Sequence, residues 1–456
     1  MASNTRGTER GEAIGAVDAA TGDVWGGPAT AQPPAQVGQS SPCPPPVCRR
    51  ATNIVYFLHD DGYAWLAQPR RLKLADSSPT RWASASFFLR NGQVGSSYGA
   101  TVKGLVRGDT AGLTFRKTSG PAWASVSPTG TVGGTPTAPG TATIGIEAAN
   151  SAGLKAAASV GVRVQAAGAP LVPELKVLSY NLWHGGTPIG GHRDKQLKFL
   201  LDRDVDVVGI QENEGTSAQA LAQALGWSYH QTADLGVISR YPITRTTPAV
   251  AGAAIAARIR LGSRAAVVWN AHLGHTPYGP YDACFGRLPV QQLFDREARS
   301  GRTGQINDIL KAMSADLASA STTPVFLVGD FNAPSHLDWT AATRRCGYGA
   351  VNWPTSAAVA NAGLTDSYRA AHPDPLASPG ATWSPVYKTF TGGYGHDSHK
   401  GEPEPQDRID FVHFKGPATV LTSNAVVEGT PAPYPGHTGN AWTSDHAAVL
   451  TAFRLP

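Results

Sequence analysis

Val325-Phe326-Leu327-Val328-Gly329-Asp330-Phe331-Asn332 is the stretch on which the fold turns. An apolar strand pattern ends there in an acid and an amide two residues apart. Side chains alternate along a strand, so Asp330 and Asn332 are expected on the same side at its carboxyl end. Two oxygen-bearing groups presented together at a strand terminus suit a hard metal ion or a phosphoryl oxygen. Taken alone, the run reads equally well as a strand entering a polar turn, because Asp and Asn are common turn residues.

The pattern recurs along the second half of the chain. Leu175-Lys176-Val177-Leu178-Ser179-Tyr180-Asn181 is a strand ending in Asn, and Val205-Asp206-Val207-Val208-Gly209-Ile210-Gln211-Glu212 is one ending in Glu. Ala265 to Leu273 carries an Asn270-x-His272 pair at its end. Arg408-Ile409-Asp410-Phe411-Val412 and Thr443-Ser444-Asp445-His446-Ala447-Ala448-Val449 follow, the last with its acid and His at the start of the strand. Helical spacing separates the strands. Leu197, Leu200 and Leu201 mark a helix over 195–204, and Ile306, Ile309, Leu310, Met313 and Leu317 mark another leading into the Asp330 strand.

This ordered set of Asn, Glu, His, Gly-Asp-Phe-Asn, Arg-Ile-Asp and Ser-Asp-His resembles the endonuclease/exonuclease/phosphatase superfamily over roughly residues 172–456. That superfamily includes pancreatic deoxyribonuclease, abasic-site endonucleases, neutral sphingomyelinases and inositol polyphosphate phosphatases. The resemblance implies an α/β fold of two packed mixed sheets flanked by helices, a four-layer α/β/β/α sandwich with its site where strand ends converge. It implies Glu212 as the principal metal ligand, helped by Asn181 and Asp445 directly or through water. His446 is then the general base, with Asp410 orienting it. Asp330 positions the attacking water, while Asn332 and His272 donate to phosphoryl oxygens. Oxygen and amide ligands without thiolates favour Mg²⁺ or Mn²⁺ over zinc. Glu214, close by, is expected to face solvent.

Ahead of this half the composition changes. Residues 1–50 are rich in Gly, Ala, Pro and Ser and read as a disordered leader. Residues 51–165 alternate short β-like runs with Gly/Pro/Ser/Thr turns, and from Gly112 to Val164 they are similar to immunoglobulin-like domains of bacterial extracellular proteins. An all-β module is therefore expected there, most simply a passive spacer, joined by a linker at 166–173 to a catalytic domain at 174–456. Cys43 pairs naturally with Cys48 and Cys284 with Cys346; no Cys-x-x-Cys pattern occurs, and paired cysteines favour an oxidising compartment. Met1 to Ala20 lacks the apolar segment of a secretory signal, and no apolar stretch reaches the length of a membrane span.

The net charge of +5 invites a nucleic-acid partner, but its distribution does not. From Leu171 onward there are 23 Lys and Arg against 24 Asp and Glu, leaving 15 against 9 before it. The catalytic half thus has no basic surplus with which to attract a polyanion. The expected activity is a secreted, monomeric, Mg²⁺- or Mn²⁺-dependent hydrolase of phosphate esters, with a small-molecule or lipid head-group ester favoured. A secreted Mg²⁺-dependent nuclease is the first alternative, and an inactive adhesion or binding protein the second. No Gly-x-Ser-x-Gly elbow supports a serine hydrolase. Two features stay open: Trp383, a substrate wall or a packed loop aromatic, and the loop Gly395-His396-Asp397-Ser398-His399, a clamp, a second metal site or a solvated turn.

Overall fold

A computed structural model describes residues 79–456 and, ahead of them, only the backbone of short strands between Ala16 and Lys73. Apart from the two-residue strands Ala16–Val17 and Val24–Trp25, the expected leader at 1–50 lies outside the described residues, as does the Cys43–Cys48 pair. Contacts divide the chain into Met1–Pro79 and Thr80–Pro456, and the second unit holds everything discussed below.

That unit begins with an all-β module. One sheet runs in the order Thr114–Ser119, Gly140–Ala149, Lys155–Gln165, Ser86–Phe88, and another in the order Ala124–Val126, Thr131–Gly134, Tyr98–Thr101. Ile144, Ile146 and Ala148 alternate inward along the long central strand, as a half-buried sheet requires.

The following chain forms two six-stranded sheets. The first contains β1 (Glu174–Asn181), β2 (Val207–Gln211), β3 (Ser228–Gln231), β4 (Gly236–Ser239), β11 (Thr419–Val426) and β12 (Ala448–Arg454), in the order β3-β4-β2-β1-β12-β11. The second contains β5 (Ile243–Val250), β6 (Ala254–Leu261), β7 (Arg264–His272), β8 (Val325–Asp330), β9 (Thr365–Asp366) and β10 (Asp410–Lys415), in the order β5-β6-β7-β8-β10-β9. Both sheets are mixed: β1 with β2 and β7 with β8 are parallel, and their other pairings are antiparallel.

Period-two alternation sorts each strand between two cores. Val177, Val207, Ile255, Val268, Phe326, Val328 and Phe453 meet between the sheets. Leu178, Tyr180, Val208 and Ile210 face outward onto helices α1 (His192–Asp202) and α2 (Ser217–Leu225). On the far side Trp269, Val325, Leu327 and Phe411 pack against Ile306 and Ile309 of α3 (Arg302–Ala312). This is the four-layer α/β/β/α sandwich. The second expected helix is shorter than its apolar spacing suggests: it stops at Ala312, and Leu317 lies on a separate turn, Ser314–Ala318.

The module is not suspended from its linker. Trp82, Phe87, Leu105 and Val160 share one apolar cluster with Leu197, Leu201, Leu221 and Leu225 of α1 and α2. A Cβ on Gly104 would lie 2.5 Å from the Ala224 carbonyl oxygen, so the turn Lys103–Leu105 sits directly on α2. Ion pairs Arg81–Asp194, Arg107–Asp194 and Arg163–Asp204 rim the contact.

Candidate active site

The strand ends converge as the alternation demands. Asp330 closes β8 beside His272, which closes β7, and opposite Asp410, which opens the antiparallel β10. Asn181 ends β1 next to Gln211 of β2, and Glu212 follows in the left-handed region at φ +54°. Asp445 and His446 immediately precede β12.

Asp330 Oδ2 is the hub of the site. Asn181 Nδ2 donates to it at 3.1 Å and Asn332 Nδ2 at 3.3 Å, while His272 Nε2 lies at 3.7 Å and His446 Nε2 at 3.8 Å. His446 Nδ1 is 2.8 Å from Asp410 Oδ2, and His272 Nδ1 is 2.9 Å from Asp234 Oδ2. Each imidazole therefore has one nitrogen held by a carboxylate and the other aimed at the hub. Thr382 Oγ1 fixes Asp410 by accepting its backbone N–H at 3.1 Å, and Ser444 Oγ donates to the Asn181 carbonyl at 2.6 Å.

All eight residues expected in the site are thus brought together, but two amides have different partners from those expected. Asn181 uses its oxygen to accept from Trp183 N at 2.9 Å, and its Nδ2 bridges Glu212 Oε1 and Asp330 Oδ2, each at 3.1 Å. Its Nδ2 thus holds the two carboxylates in place, and its oxygen keeps a second lone pair. Asn332 is not on the strand at all. A left-handed φ of +50° turns it back, its N–H donates to Asp330 Oδ1 at 2.8 Å, and its Nδ2 donates to Leu273 O at 3.0 Å as well as to Asp330. Both amide protons are committed, which leaves none for a phosphoryl oxygen. Glu214 faces solvent as expected, its side chain 55% exposed at the rim of the cavity, 3.1 Å from His184 Nδ1.

The carboxylates fit a divalent cation. Glu212 takes the His184 N–H on Oε2 at 2.6 Å, while Oδ1 of Asp445 and Oδ1 of Asp410 are buried without any hydrogen-bond partner. Burial, together with the charges of Glu212 and Asp330, pushes Asp445 up to about 7 against the pull of His446. A buried acid oxygen with no donor, crowded by other acids, is what a bound cation would satisfy. Asp330, Asp410 and His446 also lie within 4.8 Å of one another, but there the His446–Asp410 hydrogen bond already joins two of the three. Burial disfavours the His272 cation, yet Asp234 and Asp330 outweigh it and lift its pKa to about 9. Burial likewise opposes a charged His446, and Asp410 and Asp330 overcome it, raising its pKa well above the ordinary histidine value.

Around these groups lies a cavity of about 490 Å³. Trp183, Tyr278, Tyr281, Trp383, Tyr387 and Tyr394 supply its aromatic lining, and among the described residues neither Lys nor Arg contributes. Trp383 is a wall: its ring meets His446 edge-on at 5.0 Å. The His396/His399 loop is tied down outside it. His396 Nε2 lies 3.3 Å from Asp282 Oδ1, and His399 stacks on Phe285 with Nδ1 2.9 Å from Glu402. Cys284 and Cys346 are disulfide-bonded, fastening the loop after His272 to the segment after Asp338.

Three supports were not visible as site residues in the sequence. Asp234 comes from a turn between β3 and β4, His184 contributes a backbone N–H, and Glu404 lies in a loop with no motif. Two motif residues turn out to be structural. Asn270 links the sheets, donating to Ile210 O and Gly236 O at 2.7 and 2.8 Å and accepting from Gln211 at 2.6 Å. Arg408 is buried between Asp338 and Asp366, which anchors the start of β10.

Two sheets with converging acids, amides and histidines define the class as a phosphoester hydrolase sandwich. The model of the endonuclease/exonuclease/phosphatase family matches residues 178–446, and the chain belongs to that family, whose members are phosphodiesterases and nucleases. A model for an Ig domain matches residues 85–165. An uncharacterised protein of Caenorhabditis elegans is 30% identical over 292 residues, covering 61% of this chain and 91% of that protein. Among solved structures, D. rerio TDP2 complexed with single strand DNA product is 15% identical with a TM-score of 0.41, covering 61% of this chain and 98% of that one. The human Nocturnin catalytic domain with bound sulfate anion is 14% identical with a TM-score of 0.39, covering 63% and 97%.

Proposed function

We propose that this chain is a divalent-cation-dependent phosphodiesterase acting on a small or lipid-linked diester. The observation that carries the reading is the His446–Asp410 pair at 2.8 Å, aimed at Asp330 beside the unpartnered Asp445 oxygen. Glu212 and Asp445 would hold Mg²⁺ or Mn²⁺, which when bound offsets the carboxylate charge and stabilises charge on the phosphoryl oxygens. Asn181 keeps Glu212 and Asp330 in place. Asp330 Oδ2 accepts from the attacking water, and His446 Nε2, in the neutral form that a bound cation would favour by offsetting the carboxylates around it, takes its proton as the new P–O bond forms. Asp410 holds Nδ1–H and stabilises the imidazolium that results. His272, kept protonated by Asp234, donates from Nε2 to a non-bridging oxygen as negative charge gathers there. The leaving alkoxide departs opposite the water, and no covalent intermediate forms.

The lack of Lys and Arg among the described residues lining the cavity favours an isolated phosphodiester over a polyanion. The Cys284–Cys346 disulfide supports residence in an oxidising compartment. Among the described residues no helix is long and apolar enough to cross a membrane. The test is a panel of bis(p-nitrophenyl) phosphate, phospholipid head-group diesters and plasmid DNA, with Mg²⁺, Mn²⁺ or chelator. Cation-dependent turnover of the small diesters with slow plasmid nicking is expected. Rapid plasmid nicking would reverse the substrate assignment, and activity surviving chelation would remove the cation.

A further inference from the structure

We infer that the end of the sandwich away from the catalytic cavity carries a second binding site, for a tetrahedral oxyanion such as a phosphate or sulfate group. Neither its location nor its chemistry depends on the phosphodiesterase reading. The even charge balance of the catalytic half conceals a local excess: between Asp234 and Asp282 the chain has five Arg and no Asp, Glu or Lys. Arg240 is paired with Asp204. The others, Arg245, Arg258, Arg260 and Arg264, gather on β5, β6 and the start of β7. Ile255, Ala257, Ile259 and Leu261 of β6 point into the core between the sheets, so Arg258 and Arg260 project from the other face. Arg245 lies directly opposite Arg258 across the strand pair, and Arg264 opens the next strand opposite Leu261. Arg258 is half-buried, and Arg245, Arg260 and Arg264 are exposed.

Left to itself this arrangement is unfavourable. Like charges placed directly opposite each other on a sheet repel. No carboxylate offsets them: among the described residues none of these guanidinium groups forms an ion pair, donates a hydrogen bond or lies over an aromatic ring. Each carries N–H donors in a rigid fork that matches the oxygens of phosphate and sulfate. Arg258, Arg260 and Arg264 line a recess of about 400 Å³, and its lining contains no acid. Ser263 and Thr323 line it too, and their hydroxyls have no hydrogen-bond partner among the described residues. A tetrahedral anion offers several equivalent oxygens and up to two charges, so it can meet more than one fork at once; a carboxylate has two oxygens and one charge. The recess is separate from the catalytic cavity. Arg258 pairs with Val267, and His272 follows five residues later on β7, about 17 Å further along the strand.

The test follows the calorimetric melting midpoint of the chelator-treated full chain as NaCl is replaced by sodium phosphate at constant ionic strength, in the wild type and in Arg258→Gln/Arg260→Gln. The wild-type midpoint should rise with phosphate and saturate. The double variant should need at least about tenfold more phosphate for the same rise, because it loses two charged donors. Stabilisation by salt exclusion, and any phosphate held in the catalytic cavity, are common to both proteins and cancel in the comparison. In NaCl alone the variant should melt no lower than the wild type, since it loses repulsion and no internal partner. Phenyl phosphate in place of inorganic phosphate separates the two sources of the group: an equal rise means that the site takes the end of a phosphorylated molecule, and a rise with inorganic phosphate alone means that it takes the free ion. Superimposable phosphate curves for the two proteins would overturn the site. So would a variant that melts clearly lower in NaCl alone, because the arginines would then be serving the fold.

Discussion

Replacing Asp410 by Asn probes the proposed base without touching the substrate. The carboxylate is fully buried, its Oδ2 is 2.8 Å from His446 Nδ1, and it contributes to holding the imidazole charged. Unit charges about 4 Å apart interact by about 4 kcal/mol at the effective dielectric of such sites. At about 1.4 kcal/mol per decade, losing that stabilisation of the imidazolium in the transition state lowers kcat by about a thousandfold. The figure falls inside the range of about 10² to 10⁴ ascribed to general acid–base groups. KM should change little, because Asp410 contacts His446 and the Thr382 hydroxyl and does not line the cavity. The assay is steady-state hydrolysis of bis(p-nitrophenyl) phosphate at saturating Mg²⁺, with the urea midpoint measured in parallel. A folded Asp410→Asn enzyme whose kcat lies within about tenfold of wild type would refute the assignment of His446 as base.

Two further predictions concern the frame that holds the site. His413 on β10 is buried against Phe331 and Phe411, its Nδ1 has no partner, and burial lowers its pKa to about 4 despite Asp366 nearby. The folded chain keeps this ring neutral while the unfolded chain protonates it below about 6.5, so stability is lost progressively between pH 6.5 and 4, by up to about 3 kcal/mol. His413→Phe should abolish this loss, so the wild-type-minus-variant stability difference should fall by up to about 3 kcal/mol as pH drops from 6.5 to 4 in chemical unfolding; a difference with no pH slope contradicts the assignment. Gly104→Ala places a methyl 2.5 Å from the Ala224 carbonyl oxygen, and overpacking of this kind costs about 1–3 kcal/mol. Calorimetry should show the module and sandwich melting together at a lower temperature, whereas an unchanged midpoint would mean that the shared core is not rigid.

Much of this architecture was legible in the chain because period-two apolar runs and strand-terminal polar groups are local signals. Val325–Asp330 is a buried strand, and Glu212, Asp410, Asp445 and His446 converge as their motif order implies. What escaped was decided by backbone turns and long-range pairing. Asn332 leaves the strand at φ +50°, which converts a presumed phosphate donor into a brace for Asp330. Asp234 reaches His272 from a turn whose composition is that of any exposed loop. Tyr281 and Glu404 meet across 123 residues of separation, a contact no spacing rule reaches. The apolar residues that bind the module to α1 and α2 look, in sequence, like the interior of the module itself.

The central claim is that a carboxylate-held divalent cation and the His446–Asp410 pair together hydrolyse a phosphodiester. Its most direct measurement is the turnover of bis(p-nitrophenyl) phosphate by chelator-treated protein titrated with Mg²⁺ or Mn²⁺, for the wild type, Glu212→Gln and His446→Ala. The account predicts activity in the wild type only when the cation is restored. Glu212→Gln should need far more cation, and His446→Ala should bind it normally yet turn over about 10² to 10⁴ times more slowly. Wild-type activity in the absence of any added cation, or full activity in His446→Ala, would contradict it.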